Sequence, residues 1–100
     1  TMYIYIKIHY EGGNPVVLAA CDEDLIGKVM KEGDIILDVS VDFFKGFKVQ
    51  VDELPQYLES VMSAILIGEN VVSKAIESGY VHPETVLRVN NVPYAHFIKI

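Results

Sequence analysis

One hundred residues are one domain's worth of chain, and a hydrophobic content of 51% with mean hydropathy +0.29 excludes a disordered polypeptide. The formal charge of −6, from 14 acids against 8 bases, repels phosphate backbones and anionic lipid and weighs against a general nucleic-acid binder. A single cysteine, Cys21, excludes an intramolecular disulfide, and no apolar run approaches the roughly 20 residues that span a bilayer.

The first segment alternates. Ile4, Ile6 and Ile8 point one way and Tyr3, Tyr5, Lys7 and His9 the other, which predicts a half-buried strand from Met2 to His9. Glu11-Gly12-Gly13-Asn14-Pro15 reads as a turn, and apolar Val16 to Cys21 as the hairpin partner. Asp22 is placed to cap a short helical turn carrying Glu23 and Asp24, ended by Gly27. Lys31 to Asp34 reads as a turn, Ile35 to Val39 as a strand, and Ser40 to Gly46 as a loop with a helical turn capped by Ser40. A short strand is expected where Phe47, Val49 and Val51 alternate with Lys48 and Gln50.

The clearest helix is expected to begin at Asp52, with Pro55 harmless in its first turn. Leu54, Leu58, Val61, Met62, Ile65 and Leu66 share one face at helical spacing. Gly68 interrupts, and a second helix follows from Glu69 to Ser78, closed by Gly79. Val86 to Val89 and Val92 to Ile100 read as strands joined by a tight Asn90-Asn91 turn. The expected fold is α+β: an antiparallel or mixed sheet of about five to six short strands, with two consecutive helices packed on one face. Residues 1–100 read as one domain, with Thr1 an addition ahead of the natural start at Met2. No basic segment followed by an apolar core opens the chain, so a cytoplasmic location is expected.

Four motifs carry a resemblance. They are Leu18-Ala19-Ala20-Cys21-Asp22-Glu23-Asp24-Leu25-Ile26-Gly27-Lys28, Leu37-Asp38-Val39-Ser40, Ile67-Gly68-Glu69, and Arg88-Val89-Asn90-Asn91-Val92-Pro93-Tyr94-Ala95-His96. In this order and spacing the chain resembles the archaeal DUF424 family of small uncharacterised proteins over nearly its whole length. The resemblance implies an archaeal, cytoplasmic, stand-alone domain and brings no established activity. The family's closing segment tends to read Val-Pro-His-Ala-Gln. Tyr94 here replaces that histidine, which weakens any role resting on it.

Cys21 is the candidate nucleophile, at a strand end before a helical turn. Asp22, Glu23 and Asp24 follow directly and favour the neutral thiol, so a structural cysteine is the better reading. The three acids lack the spacing of a calcium loop. His9, His82 and His96 lack metal-ligand spacing, and only a pairing of the first and last strands would bring His9 and His96 beside Cys21. Gly27-Lys28 lacks the upstream glycine of a P-loop, and Gly12-Gly13 is explained by its turn. No metal and no cofactor is expected. Gly68-Glu69 opens a helix whose amides suit an anion, though Glu69 already supplies a charge there and a helix–helix turn is the better reading of the glycine. Tyr3, Tyr5, Lys7 and His9 form an aromatic and basic row able to stack bases if Tyr94 and Lys99 flank it, or to meet a protein.

These residues point first to a non-catalytic binding or interaction module, with candidate contacts at Cys21, Asp22, Gly27, Lys28, Gly68, Glu69, Asn91, Pro93, Tyr94 and His96. Its partner is expected to be a macromolecule, protein rather than RNA and not a membrane, with a homo-oligomer as a further expectation from the apolar composition. Two alternatives stand beside this. One is a small enzyme or ligand-binding protein using Cys21 and Asp22 with the segment Val92 to His96. The other is an RNA-contacting accessory protein using the Tyr3, Tyr5, Lys7 and His9 face.

Overall fold

The computed structural model describes residues 2–100. Strand β1 (Tyr3–Glu11) and strand β2 (Asn14–Asp22) form the expected hairpin. A 3-10 turn (Glu23–Leu25) leads to β3 (Val29–Glu32), β4 (Ile35–Asp38), the helical turn α1 (Val41–Phe44) and β5 (Phe47–Gln50). Then come α2 (Leu54–Glu59), β6 (Ser63–Ile67), α3 (Glu69–Glu77), β7 (Leu87–Val89) and β8 (Val92–Ile98). The main sheet has six strands in the order β5-β1-β2-β6-β8-β7, and β3 and β4 form a separate two-stranded sheet. The fold is α+β, and the main sheet is mixed because β6 runs parallel to β2.

Ile4, Ile6, Leu18, Ala20, Ala64, Leu66 and Ala95 fill one face of that sheet. Leu54 and Leu58 of α2 and Val71, Val72 and Ala75 of α3 close over them. The opposite face is Ala19, Cys21, Ile67 and Val89, covered by Met30, Leu37, Val39 and Phe44 from the β3–β4 hairpin and α1. Both faces are therefore packed, which is why β2 reads as an unbroken apolar run.

Two expectations are corrected. The helix expected to run on through Ile65 and Leu66 ends at Glu59, and residues 63–67 are a central strand between β2 and β8. The two helices thus share a face but are separated by β6. Ala64 and Leu66 face the helices while Ile65 and Ile67 face the other layer, so the same apolar run satisfies a strand buried on both faces. The expected turn over Lys31 to Asp34 shrinks to Gly33-Asp34, because Lys31 and Glu32 belong to β3. That four-residue strand carries two charges and no readable alternation. Other local signals match their elements. Ser40 Oγ accepts from Phe43 N–H at 3.1 Å to cap α1. Asn90 and Asn91 take φ of 50° and 66° in the β7–β8 turn. Among the described residues no helix is long and apolar enough to cross a membrane.

Candidate functional site

The parallel pair β2–β6 ends where Asp22 meets Gly68. Asp22 is expected to cap the turn that follows it, but its side chain does not. Its two carboxylate oxygens instead accept from Asn70 N–H at 3.0 Å and Val71 N–H at 2.9 Å, 48 and 49 residues away. The first turn of α3 has amides without helical partners and a positive dipole end, and Asp22 supplies both acceptor and charge. Only 6% of Asp22 is exposed. Burial raises its pKa, the two amides oppose that, and the charges of Asp24 and Glu69 add to it. Gly68 holds the other side of the contact. It turns a strand into a helix rather than one helix into another, and its N–H donates to Pro93 O at 2.9 Å.

Three distant segments meet around this pair. Asp22, Asp24, Leu25, Glu69, Asn91, Val92 and Pro93 line a depression of about 170 Å³. Met2, Tyr3, Asp22, Glu23, Asp24, Glu69 and Asn70 line a larger open cleft of about 560 Å³. Asp22, Asp24 and Glu69 border both, so the two form one acidic corner outside the carboxyl ends of the parallel strands. That is where open α/β sheets commonly take ligands. Arg88, the chain's single arginine, links two of the segments: one Nη donates to Glu69 Oε1 at 2.8 Å and to Asn91 O at 2.9 Å. Lys48 pairs with Glu23 at 2.6 Å on the opposite rim. Asp24 is exposed and takes part in no ion pair among the described residues.

The structure thus brings together Asp22, Gly68, Glu69, Asn91 and Pro93 from the candidate set. It leaves the others elsewhere. Cys21 lies directly behind the corner, is 0% exposed and lines neither depression. Burial, then the charges of Asp22 and Asp24, push its thiol up to about 12, so it is a core residue held as the neutral thiol. Gly27 and Lys28 are bonded to the backbone of Val39, through Gly27 N–H to Val39 O at 2.7 Å and Val39 N–H to Lys28 O at 2.9 Å. Tyr94 and His96 lie further along β8, lining a separate cavity with Thr85 and Leu87. The row on β1 is not an open platform. Lys7 Nζ donates to Asp42 O at 2.6 Å, and His9 stacks on Phe43 with ring centroids 4.2 Å apart. Tyr5 packs into the second core, and Lys45 and Lys48 lie over its ring at 5.6 and 5.9 Å. Tyr94 and Lys99 do not flank this row, because β2 and β6 separate β1 from β8; the same separation keeps His9 from His96.

Asn70 and Arg88 are the corner residues that sequence reasoning did not single out, and Asp24 was weighed only as part of the acidic cluster with Asp22 and Glu23. Arg88 carried a signal, as the only guanidinium beside a predicted tight turn. Asn70 offers its backbone amide, which no side-chain pattern reveals.

Cys21 yields an expected pH response. Its folded pKa of about 12 stands above the ordinary 9.0, so the folded state keeps a proton that the unfolded chain loses. Stability is therefore full below pH 9 and falls as pH rises toward 12, by about 1.4 kcal/mol at pH 10 from this group. Urea unfolding at pH 7 and pH 10 checks it. The loss in the wild type exceeds that in Cys21→Ala by that amount, and equal losses would place the thiol in contact with water.

A solved structure described as an uncharacterized conserved protein from Methanopyrus kandleri shares this fold. Its TM-score is 0.79 at 25% identity, covering 95% of this chain and 90% of that one. None of the curated proteins matches the chain. The profile of a family described as a protein of unknown function, DUF424, matches residues 9–100. That match takes in β2, Asp22, Gly68 and the β7–β8 hairpin alike, and the chain belongs to the DUF424 family.

Proposed function

We propose that the chain is a non-catalytic binding module that holds a basic segment of a protein partner in the acidic corner. The observation that carries this reading is the open cleft of about 560 Å³ in which Tyr3 stands beside Asp22, Glu23, Asp24 and Glu69. A helix N-terminus ordinarily attracts anions. Here Asp22 already fills that position from within, so an incoming phosphate or carboxylate meets a carboxylate instead. Cations are favoured, and the net charge of −6 steers them inward. An arginine suits the site better than a lysine, because its flat guanidinium can pair with Asp24 through two bonds, while Lys48 already lies over the Tyr3 ring at 5.7 Å.

Calorimetric titration with an arginine-rich peptide, a glutamate-rich peptide and a single-stranded oligouridylate tests this. The expected result is binding of the arginine peptide alone, weakened about tenfold or more by Asp24→Lys, with affinity falling as salt is added. Binding of the RNA in preference, or an arginine-peptide affinity indifferent to Asp24→Lys, overturns the reading.

A further inference from the structure

The exposed edges of the main sheet are treated differently. At the β5 edge, Val51 N–H donates to Met2 O at 2.9 Å, which sets the antiparallel alternation so that Lys48 and Gln50 turn their backbone groups outward. That edge is blunted. Glu53 Oε2 accepts from Gln50 N–H at 2.9 Å, and Lys48 adds a charge. At the other side β7 spans only Leu87–Val89, the β3–β4 hairpin packs beside it, and Glu32 Oε1 accepts from Asn90 N–H at 2.7 Å.

Because β7 is so short, it pairs with β8 only at Val92, Pro93 and Tyr94. Ala95 to Ile98 are paired with β6 alone. Lys99 N–H donates to Met62 O at 2.8 Å and Gly68 N–H to Pro93 O at 2.9 Å, and these two bonds fix the alternation between them. Ala95 and Phe97 direct their backbone groups to β6, whereas His96 and Ile98 direct theirs outward. Among the described residues no backbone or side-chain group bonds to them from that side. No proline, bulge or charged side chain protects the stretch; the turn before β7 approaches only its His96 end, where Thr85 lines a cavity with Ala95 and His96, and Ile98 is 71% exposed.

We propose that this open stretch of β8 pairs with the same stretch of a second copy, antiparallel across a two-fold axis at Phe97. The two outward residues are placed symmetrically about Phe97. His96 of one copy then faces Ile98 of the other and the reverse, and four N–H···O=C bonds form with no group left over. Phe97 meets its own copy on the helix-covered face, where aromatic cross-strand pairs are favourable. The charges also favour a second copy of this acidic chain at this edge, because residues 86–100 contain no Asp or Glu. The one neighbouring cation, Lys99, already donates to Glu59 O at 2.6 Å and falls opposite Ala95 in this register. Leu87 occupies the outer side of Tyr94, so the seam stops there and the dimer is reversible rather than obligate.

Sedimentation velocity from micromolar to millimolar concentration, with backbone amide exchange at both extremes, tests the proposal. The expected mass rises toward twice that of the monomer. The amides of His96 and Ile98 become protected as it does, while those of Ala95 and Phe97 are protected throughout. Ile98→Lys, at an exposed side chain, weakens association about tenfold or more. A monomer at every concentration, a dimer unaffected by Ile98→Lys, or a dimer that protects other amides instead of these two overturns it. Should Ile98→Lys fail to fold, exchange in the wild type decides alone.

Discussion

Gly68→Ala is expected to destabilise the protein by about 3–5 kcal/mol. Gly68 has φ of +116°, a conformation L side chains rarely adopt. A Cβ there would lie 2.6 Å from Asp22 Oδ1 and 2.8 Å from Asp22 Cβ, and it would press on Cγ as well. Asp22 cannot yield without releasing the amides of Asn70 and Val71, and it has no room to move because it is itself buried. Strain and lost charge-assisted bonds therefore add. At about 4–8 °C per kcal/mol for a domain of this size, the melting midpoint falls by roughly 20 °C. Calorimetry or thermal circular dichroism measures it directly. A loss below about 1 kcal/mol would mean that Asp22 and Gly68 are not in contact.

Asp22→Ala is expected to cost about 2–4 kcal/mol, because two α3 amides lose a buried acceptor. Asp22→Asn should cost less, since one oxygen can still accept, but its NH₂ then faces an amide donor. The two sites are coupled. In the Asp22→Ala background the carboxylate that obstructs a Cβ at position 68 is gone, so Gly68→Ala then costs its backbone strain and the one remaining close contact, with the Cβ at position 22. The double variant is expected to be more stable than the sum of single losses predicts, by about 1 kcal/mol or more. Strict additivity would contradict the contact.

This contact also marks the limit of what the sequence discloses. The β1–β2 and β7–β8 hairpins were legible because their turns use residues with a reason to be there, Gly12-Gly13 and Asn90-Asn91 at positive φ; the β3–β4 hairpin was not, because Val29 to Glu32 shows no alternation. The core face of β1 was legible from Ile4, Ile6 and Ile8. Residues 61–67 were not, because a central strand packed on both faces and a helical stripe look alike in a run as apolar as Val61 to Ile67. The site was half legible. A helix start at Glu69 suited to an anion was readable, and the anion proved to be Asp22 from 48 residues away. Nothing local distinguishes a carboxylate that caps its own turn from one that caps a helix across the sheet. The β1 row was read correctly as one face of a strand, but α1 folds onto it through Asp42 and Phe43. Periodicity does not reveal such covering loops.

The convergence of residues 22–24, 69–70 and 88–93 into one acidic corner is the basis for treating the chain as a binding module. Backbone amide NMR during titration with the arginine-rich peptide tests this most directly. The predicted result is a set of saturable shifts confined to Tyr3, Glu23, Asp24, Glu69, Asn70 and Asn91, and absent in Asp24→Lys. Saturable shifts centred on the β3–β4 hairpin or on Lys7 and His9, with the corner unmoved, would contradict it.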